Sequence, residues 1–308
     1  MNIQAHILQK NGLVAIKLAR ELMTLKTGDR LSTIEEYSQK YSAARGTVQA
    51  ALKLLGQYKA IALEPRGHLG TFITGVDYEV LWEFTGLGTI MGVMPLPYSR
   101  RYEGLATGLY QVLGSRRIPF SLAYMRGAET RLSALKSGRY DLAIVSRLAA
   151  AAAIERGQEI DIAIEFGRYT YVNQHVILFS DTAKREIEDG MAVGVDRTSI
   201  DHHLLTLSQC AGKRVNLVDL AYNQIISKLQ AREIDAAVWN IDEILERQID
   251  IPYYSLRSDE FADCDTEAVA VVNRQNDGLR NLLSAFVDKE EVVTCQQQVV
   301  RGERIPNY

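Results

Sequence analysis

Arg45-Gly46-Thr47-Val48-Gln49-Ala50-Ala51-Leu52-Lys53-Leu54-Leu55 reads as a helix. At 3.6 residues per turn, Val48, Ala51, Leu52 and Leu55 share one apolar face, while Arg45, Gln49 and Lys53 fall along an adjacent outward flank. Upstream, Leu13, Ile16, Ala19, Leu22 and Met23 return at helical spacing, with Asn11 placed to begin that helix and Lys26-Thr27-Gly28-Asp29-Arg30 to end it. Thr33-Ile34-Glu35-Glu36 has the Thr-x-x-Glu spacing of a capping box and starts a second helix running to about Lys40. Downstream, residues 61–64 and 71–74 are strand-like on either side of Pro65-Arg66-Gly67-His68-Leu69-Gly70, a hairpin with a basic tip. Three helices and a hairpin predict a winged helix-turn-helix over residues 1–75.

In that geometry the third helix enters the DNA major groove. Arg45 and Lys53 meet phosphates, Gln49 pairs with a base edge, Gly46 and Thr47 lie at the approaching helix start, and Arg66 and His68 on the wing reach the backbone or minor groove. Charge agrees with a polyanionic partner: up to Gly75 there are 10 Lys+Arg against 5 Asp+Glu, and beyond it 25 against 33. The plainer alternative is a helical hairpin packed on a larger domain, with Lys53 a surface lysine and His68 a turn residue.

The stretch Gly28-Asp29-Arg30-Leu31-Ser32-Thr33-Ile34-Glu35-Glu36 resembles the Gly-Asp-Lys/Arg-Leu-Pro-Ser-Glu-x-Glu pattern of the GntR family. Arg45-Gly46-Thr47-Val48 is similar to its Arg-x-Thr-Val, and the wing from Arg66 to Ile73 to its Arg-x-Gly-x-Gly-Thr-Phe-Val, with the spacing between all three maintained. Ser32, Ile34, Ala44, Gln49 and Ala50 depart from the pattern. The resemblance implies a DNA reader with altered base contacts.

A connector, residues 76–89, carries Trp82 and Phe84 and is expected to pack, with the two rings available for a dimer contact. From residue 90 to 308, eight apolar runs of strand length alternate with helical patterns: 89–94, 120–124, 141–145, 161–164, 175–179, 191–195, 215–218 and 235–239. Such alternation predicts an α/β domain with mostly parallel sheets, and eight strands over that length suit two lobes. Ligands in open α/β sheets sit beyond the carboxyl ends of strands. The strand exits here are Tyr98-Ser99-Arg100-Arg101, Arg126-Gly127, Ser146-Arg147 and Arg197-Thr198-Ser199, each with an arginine. Arginine at a helix start opposes the helix dipole, which a bound anion would offset. Thr198, Ser199 and Ser99 add hydroxyl donors, Gly127 allows close backbone approach, and Asn240 after Trp239 adds an amide. Alternatively the arginines pair with Glu103, Glu129, Asp196 or other carboxylates, and Trp239-Asn240 is core and turn.

The two-lobed pattern resembles the type II periplasmic-binding-protein fold. More closely, the stretches from Met94 to Tyr98, Arg101 to Ala106, Met125 to Ala128, Tyr140 to Ala150, Val287 to Lys289 and Gln297 to Glu303 resemble the YhfZ family of regulators. That resemblance implies a GntR-like winged reader fused to a ligand-sensing domain, with no ligand attached to the family.

The start has no basic leader followed by an apolar core, and no stretch approaches a membrane span, so a cytoplasmic chain without membrane association is expected. Cys210, Cys264 and Cys295 lack redox or zinc spacing, and adjacent His202 and His203 point apart on a helix, so neither metal nor cofactor is expected. The leading expectation is a homodimer on a palindromic double-stranded operator, responding to a small anionic effector between the lobes. The rival is an enzyme-like domain on a DNA-binding module, although Gly-x-Ser-x-Gly is absent and no catalytic residues are assigned. A third possibility is a degenerate sensor serving only for dimerisation.

Overall fold

The computed structural model describes residues 12–257 and 264–308, so the expected start at Asn11 lies outside the described residues. The chain forms two compact units. One joins the described residues up to Ile90 with Val112–Ser121 and Asp277–Val287; the other joins Met91–Gln111, Leu122–Asn276 and Asp288–Tyr308.

In the first unit, α1 (Gly12–Leu22), α2 (Ile34–Tyr41) and α3 (Arg45–Gln57) precede a hairpin of β1 (Ile61–Pro65) and β2 (Thr71–Val76). The capping box forms: the Thr33 amide donates to Glu36 Oε2 at 2.6 Å, and the Glu36 amide donates to Thr33 Oγ1 at 3.2 Å. Helix α3 begins after Ala44 with no side-chain cap. Its Val48, Ala51, Leu52 and Leu55 are buried, and α1 packs against it. The hairpin is antiparallel, Ile61 opposite Val76 and Pro65 opposite Thr71, and Arg30 bridges to Phe72 on its open edge.

The connector is helical. Asp77 caps α4 (Tyr78–Thr85) by accepting the amides of Glu79 and Val80. Trp82 and Phe84 are buried within the unit; the Trp82 indole donates to the Gly88 carbonyl at 2.8 Å, and Phe84 meets Tyr58 edge-on. The two rings therefore do not present a dimer contact: an eight-residue amphipathic helix has to bury its apolar stripe, and this one does so against α1.

The second unit carries two five-stranded sheets. The first lobe orders β4 (Phe120–Tyr124), β3 (Ile90–Met94), β5 (Leu142–Ser146), β12 (Ala268–Asn273) and β6 (Ile160–Glu165). The second orders β11 (Tyr253–Ser255), β7 (His175–Phe179), β10 (Ala236–Asn240), β8 (Ala192–Val195) and β9 (Asn216–Asp219). The chain crosses between lobes after β6 and again after β11. Each returning strand enters against its neighbours, so β12 is antiparallel to β5 and β6, and β7 is antiparallel to β10 and β11. The sheets are thus mixed, not mostly parallel, and β11 and β12 add to the eight expected strands.

Helices α5 (Arg100–Ser115), α6 (Ala128–Lys136) and α7 (Arg147–Glu155) follow β3, β4 and β5. The alanine run of α7 buries Ala149, Ala150 and Ala153 against Val145, Val269 and Val271. Helix α8 (Ile200–Cys210) follows β8 and joins the lobes. Its Ile200 enters the first lobe's core, and its Leu205 packs with Leu148 and Val238. Helices α9 (Tyr222–Gln230) and α10 (Ile241–Glu246) follow β9 and β10, while α11 (Asp277–Phe286) belongs to the first unit and α12 (Lys289–Val300) to the second.

Candidate ligand chamber and DNA-reading face

Where the lobes meet, the loops leaving β3, β4 and β8 enclose a chamber of about 60 Å³. Tyr98, Tyr102, Tyr171 and Tyr222 supply aromatic walls; Arg126, Arg131, Asp196, Asp201, His175 and His202 supply charge and polarity. Behind the wall, Trp239 stacks on Tyr222 with centroids 3.8 Å apart.

Arg131 is the unusual group. Its position on α6 is three residues after buried Ala128 and four before buried Leu135, so it lies on the face turned inward and is 2% exposed. Its Nε donates to the Ile144 carbonyl at 3.0 Å, Nη1 to the Met125 carbonyl at 2.8 Å, and Nη2 to the Tyr171 hydroxyl at 3.0 Å. All three partners are neutral. Among the described residues no carboxylate lies within ion-pair distance of it. A buried guanidinium with no direct ion pair, felt only at a distance by Asp201, is costly unless an anion reaches it.

Asp196 is structural. Its carboxylate accepts the amide and hydroxyl of Thr198 and the amide of Tyr222, and faces Arg126 Nε at 3.8 Å. Burial works against the charge, but those hydrogen bonds and Arg126 together hold its carboxyl below the usual range. Asp201 differs. It is 2% exposed, and its one hydrogen bond comes from the Ser146 hydroxyl. Burial pushes its carboxyl up to about 6 in spite of that bond. His202 accepts the Asp196 amide at Nδ1 and faces the Val238 carbonyl with Nε2 at 2.8 Å, the pattern of a neutral ring protonated at Nε2. Burial, reinforced by the neighbouring His175, lowers it to about 4. The adjacent histidines do diverge: His202 is buried and His203 is partly exposed.

Of the residues expected at the strand exits, Tyr98, Arg126, Gly127, Ser199 and Asn240 line the chamber, whereas Ser99, Ser146, Arg147, Arg197 and Thr198 do not. Arg147 pairs with Glu267 at 3.2 Å and Arg197 with Asp219 at 3.1 Å. Arg101 is buried against Asp242 at 3.0 Å. Local carboxylates, not an anion, thus answer three strand-exit arginines. The hydroxyls are also committed: Thr198 donates to Asp196, Ser199 accepts the His202 amide, and Ser146 accepts the Ala149 amide while donating to Asp201. Asn240 caps α10 through Asp242. Gly127 adopts φ +77°, and a Cβ there would sit 2.7 Å from both the carbonyl oxygen and the hydroxyl of Thr198. The close approach is therefore to the opposite lobe. The Glu129 amide at the start of α6 also donates to the Thr198 carbonyl.

Sequence reasoning missed Arg131, Asp201, His175 and the tyrosines beyond Tyr98. Arg131 had a readable signal, a charged residue in phase with Ala128, Leu132 and Leu135.

In the first unit, Arg45, Gly46, Gln49 and Lys53 are exposed on α3, Thr47 is half-buried, and Arg66 and His68 are exposed on the wing. Arg45 pairs with Glu35 of α2; Arg66 pairs with Glu64 at 2.7 Å and stacks over Phe72. Both pairs are solvated and contribute little to stability.

Residues 77–308 match the YhfZ C-terminal domain family. The chain belongs to the YhfZ family. Residues 26–73 match a helix-turn-helix domain. A YhfZ relative from Escherichia coli K12, named an uncharacterized protein, is 35% identical over 306 residues, covering 98% of each chain. The crystal structure of YhfZ from Shigella flexneri is 34% identical with a TM-score of 0.64, covering 75% of this chain and 97% of that one. The periplasmic aliphatic sulphonate binding protein SsuA from Escherichia coli is 15% identical with a TM-score of 0.50, covering 71% of this chain and 84% of that one. This last likeness concerns fold alone: the C-terminal part of this YhfZ family member has a type II periplasmic-binding-protein-like architecture. Among the described residues no helix is long and apolar enough to cross a membrane.

Proposed function

We propose that this YhfZ family member is a cytoplasmic, homodimeric transcription regulator. In this reading its GntR-like winged helix-turn-helix binds an operator, and its two-lobed domain senses a small metabolite bearing an anionic group. The observation that carries the sensing part is Arg131, a buried guanidinium on the chamber wall held only by neutral acceptors. Arg126, half-exposed and only 3.8 Å from Asp196, stands at the same wall as a second cation. The DNA part is supported by the helix-turn-helix match and by the exposed flank of Arg45, Gln49 and Lys53.

An effector that stabilises lobe closure has to bind the closed form better than the open one, and the difference is all it can pass to the DNA reader. One winged domain covers a half-site, hence the homodimer. A non-enzymatic role is favoured by the commitment of the chamber histidines: His202 uses both ring nitrogens on backbone groups, and His175 Nδ1 is paired with Asp265 at 2.6 Å.

The test is a gel shift of the purified full chain on duplexes from its neighbouring promoters, combined with melting in a panel of small carboxylates, phosphates and sulfonates. A salt-sensitive specific complex is expected, together with an anion that stabilises the wild type but not Arg131→Gln or Arg126→Ala. No specific complex, or equal stabilisation of both variants, would reject the reading.

A further inference from the structure

The chamber holds a second buried charge without an ion-pair partner among the described residues, of the opposite sign to Arg131. Asp201 is buried, lines the same chamber and takes a single hydrogen bond, from Ser146; among the described residues no cationic nitrogen lies within ion-pair distance of its carboxylate. Arg131 cannot turn to meet it, because its nitrogens hold the Met125 carbonyl just beyond β4, the Ile144 carbonyl in the middle of β5 and the Tyr171 hydroxyl. Two buried charges of opposite sign thus line one chamber without forming an ion pair; Arg131 and His175 act on the Asp201 carboxylate only at a distance, which offsets part of the desolvation cost and leaves the rest for a ligand to relieve.

We propose that the effector is a small zwitterion of the amino-acid type, its carboxylate against Arg131 and its ammonium against Asp201. The inference rests on the reading of this chamber as the effector site and narrows its ligand from an anion to an anion that also carries a cation. The tyrosines agree. An ammonium beside Asp201 shares the chamber with Tyr98, Tyr102, Tyr171 and Tyr222, and aromatic faces attract cations most strongly where water is excluded. Size agrees as well: about 60 Å³ is room for roughly four to six water-sized groups, the dimension of glycine or alanine. A simple anion of the same size would satisfy Arg131 but would add like charge near Asp201. A simple amine would leave Arg131 unanswered.

The experiment is calorimetric titration of the full chain with glycine, alanine, serine and β-alanine, each matched with the acid that lacks the amine, and with ethylamine. It is repeated on Asp201→Asn, which keeps an acceptor for Ser146 but removes the charge. Expected is at least a ten-fold preference of the wild type for one amino acid over its matched acid, falling below three-fold in Asp201→Asn while the matched acid binds that variant as well as or better than the wild type. If the matched acids bind wild type as tightly as the amino acids, or if the preference survives Asp201→Asn, the zwitterion is wrong and the anion sensor stands. If no compound binds, or only ethylamine does, the anion reading fails with it. Thermal melting of Asp201→Asn without ligand separates loss of fold from loss of charge.

Discussion

Gly127 on the first lobe and Thr198 on the second meet backbone to backbone, with no room for a β-carbon between them. The contact is sealed by the hydrogen bond from the Glu129 amide to the Thr198 carbonyl, and Ile200, two residues on, enters the first lobe's core. It is the point at which the loop after β8 clasps the start of α6.

Gly127→Ala therefore should loosen the clasp while leaving each lobe folded. The added carbon meets the Thr198 carbonyl and the backbone is at positive φ, a combined cost of about 1–3 kcal/mol. Hydrogen exchange should show the Glu129 amide exchanging at least about ten-fold faster, the equivalent of about 1.4 kcal/mol, with core strands unchanged. Thr198→Ala in that background should restore little, because the carbonyl remains. Unaltered protection at Glu129 would contradict the assignment.

Arg101 and Asp242 form a buried ion pair between α5 and α10, and Asp242 also accepts the Asn173 amide. Removing the cation alone strands a buried carboxylate. Arg101→Met should cost about 3–5 kcal/mol, and the double variant Arg101→Met/Asp242→Leu should cost less than the single one, measured by denaturant unfolding. A double variant as unstable as the sum of two single variants would refute the pairing.

Two buried groups set opposing acid responses. His202 titrates near 4 in the folded chain against its ordinary 6.5, so the unfolded chain binds more protons and stability falls as pH drops from about 6.5 towards 4. Asp201 is raised from 3.8 to about 6, so the folded chain binds more protons and stability rises as pH drops from about 6 towards 4. The wild-type contribution of the pair is nearly flat across that window. Asp201→Asn should expose the histidine's loss, on the order of 2–3 kcal/mol between pH 6.5 and 4. Melting of wild type and variant at half-unit steps tests this; parallel curves would exclude it.

Helix α3 lacks the cap that α2 has. Ala44→Ser, in its extended conformation before α3, should stabilise the first unit by about 0.5–1 kcal/mol, and Thr33→Ala should destabilise it by a similar amount. Local hydrogen exchange in α2 and α3 reads both, and equal protection in the two variants would count against the capping account.

What the sequence disclosed was what neighbouring residues decide. The Thr33 and Glu36 cap, the buried face of α3 and the wing are all contained in short windows, and each stands where local spacing puts it. β12 escaped because Ala268-Val269-Ala270-Val271-Val272 is an unbroken apolar run, which periodicity alone assigns neither to strand nor to helix. The chamber was only half legible. Arg147 finds Glu267 more than a hundred residues away, and no window could show that its charge is already answered. Asp201 was visible as an acid at a helix start, where the dipole accounts for it, and only burial beside Arg131 gives it another meaning.

The central claim, that exposed side chains of α3 read an operator, is tested most directly by fluorescence anisotropy. Wild type, Gln49→Ala and Arg45→Ala are titrated onto a duplex from the gene's own upstream region and onto its scrambled counterpart from 50 to 300 mM salt. The account predicts that wild type prefers the native duplex by at least about 10³-fold. Gln49→Ala should lose about 1–3 kcal/mol of that preference, and Arg45→Ala should weaken both duplexes alike and reduce the salt slope by about one. Equal affinity of wild type for native and scrambled duplexes at every salt concentration would contradict it.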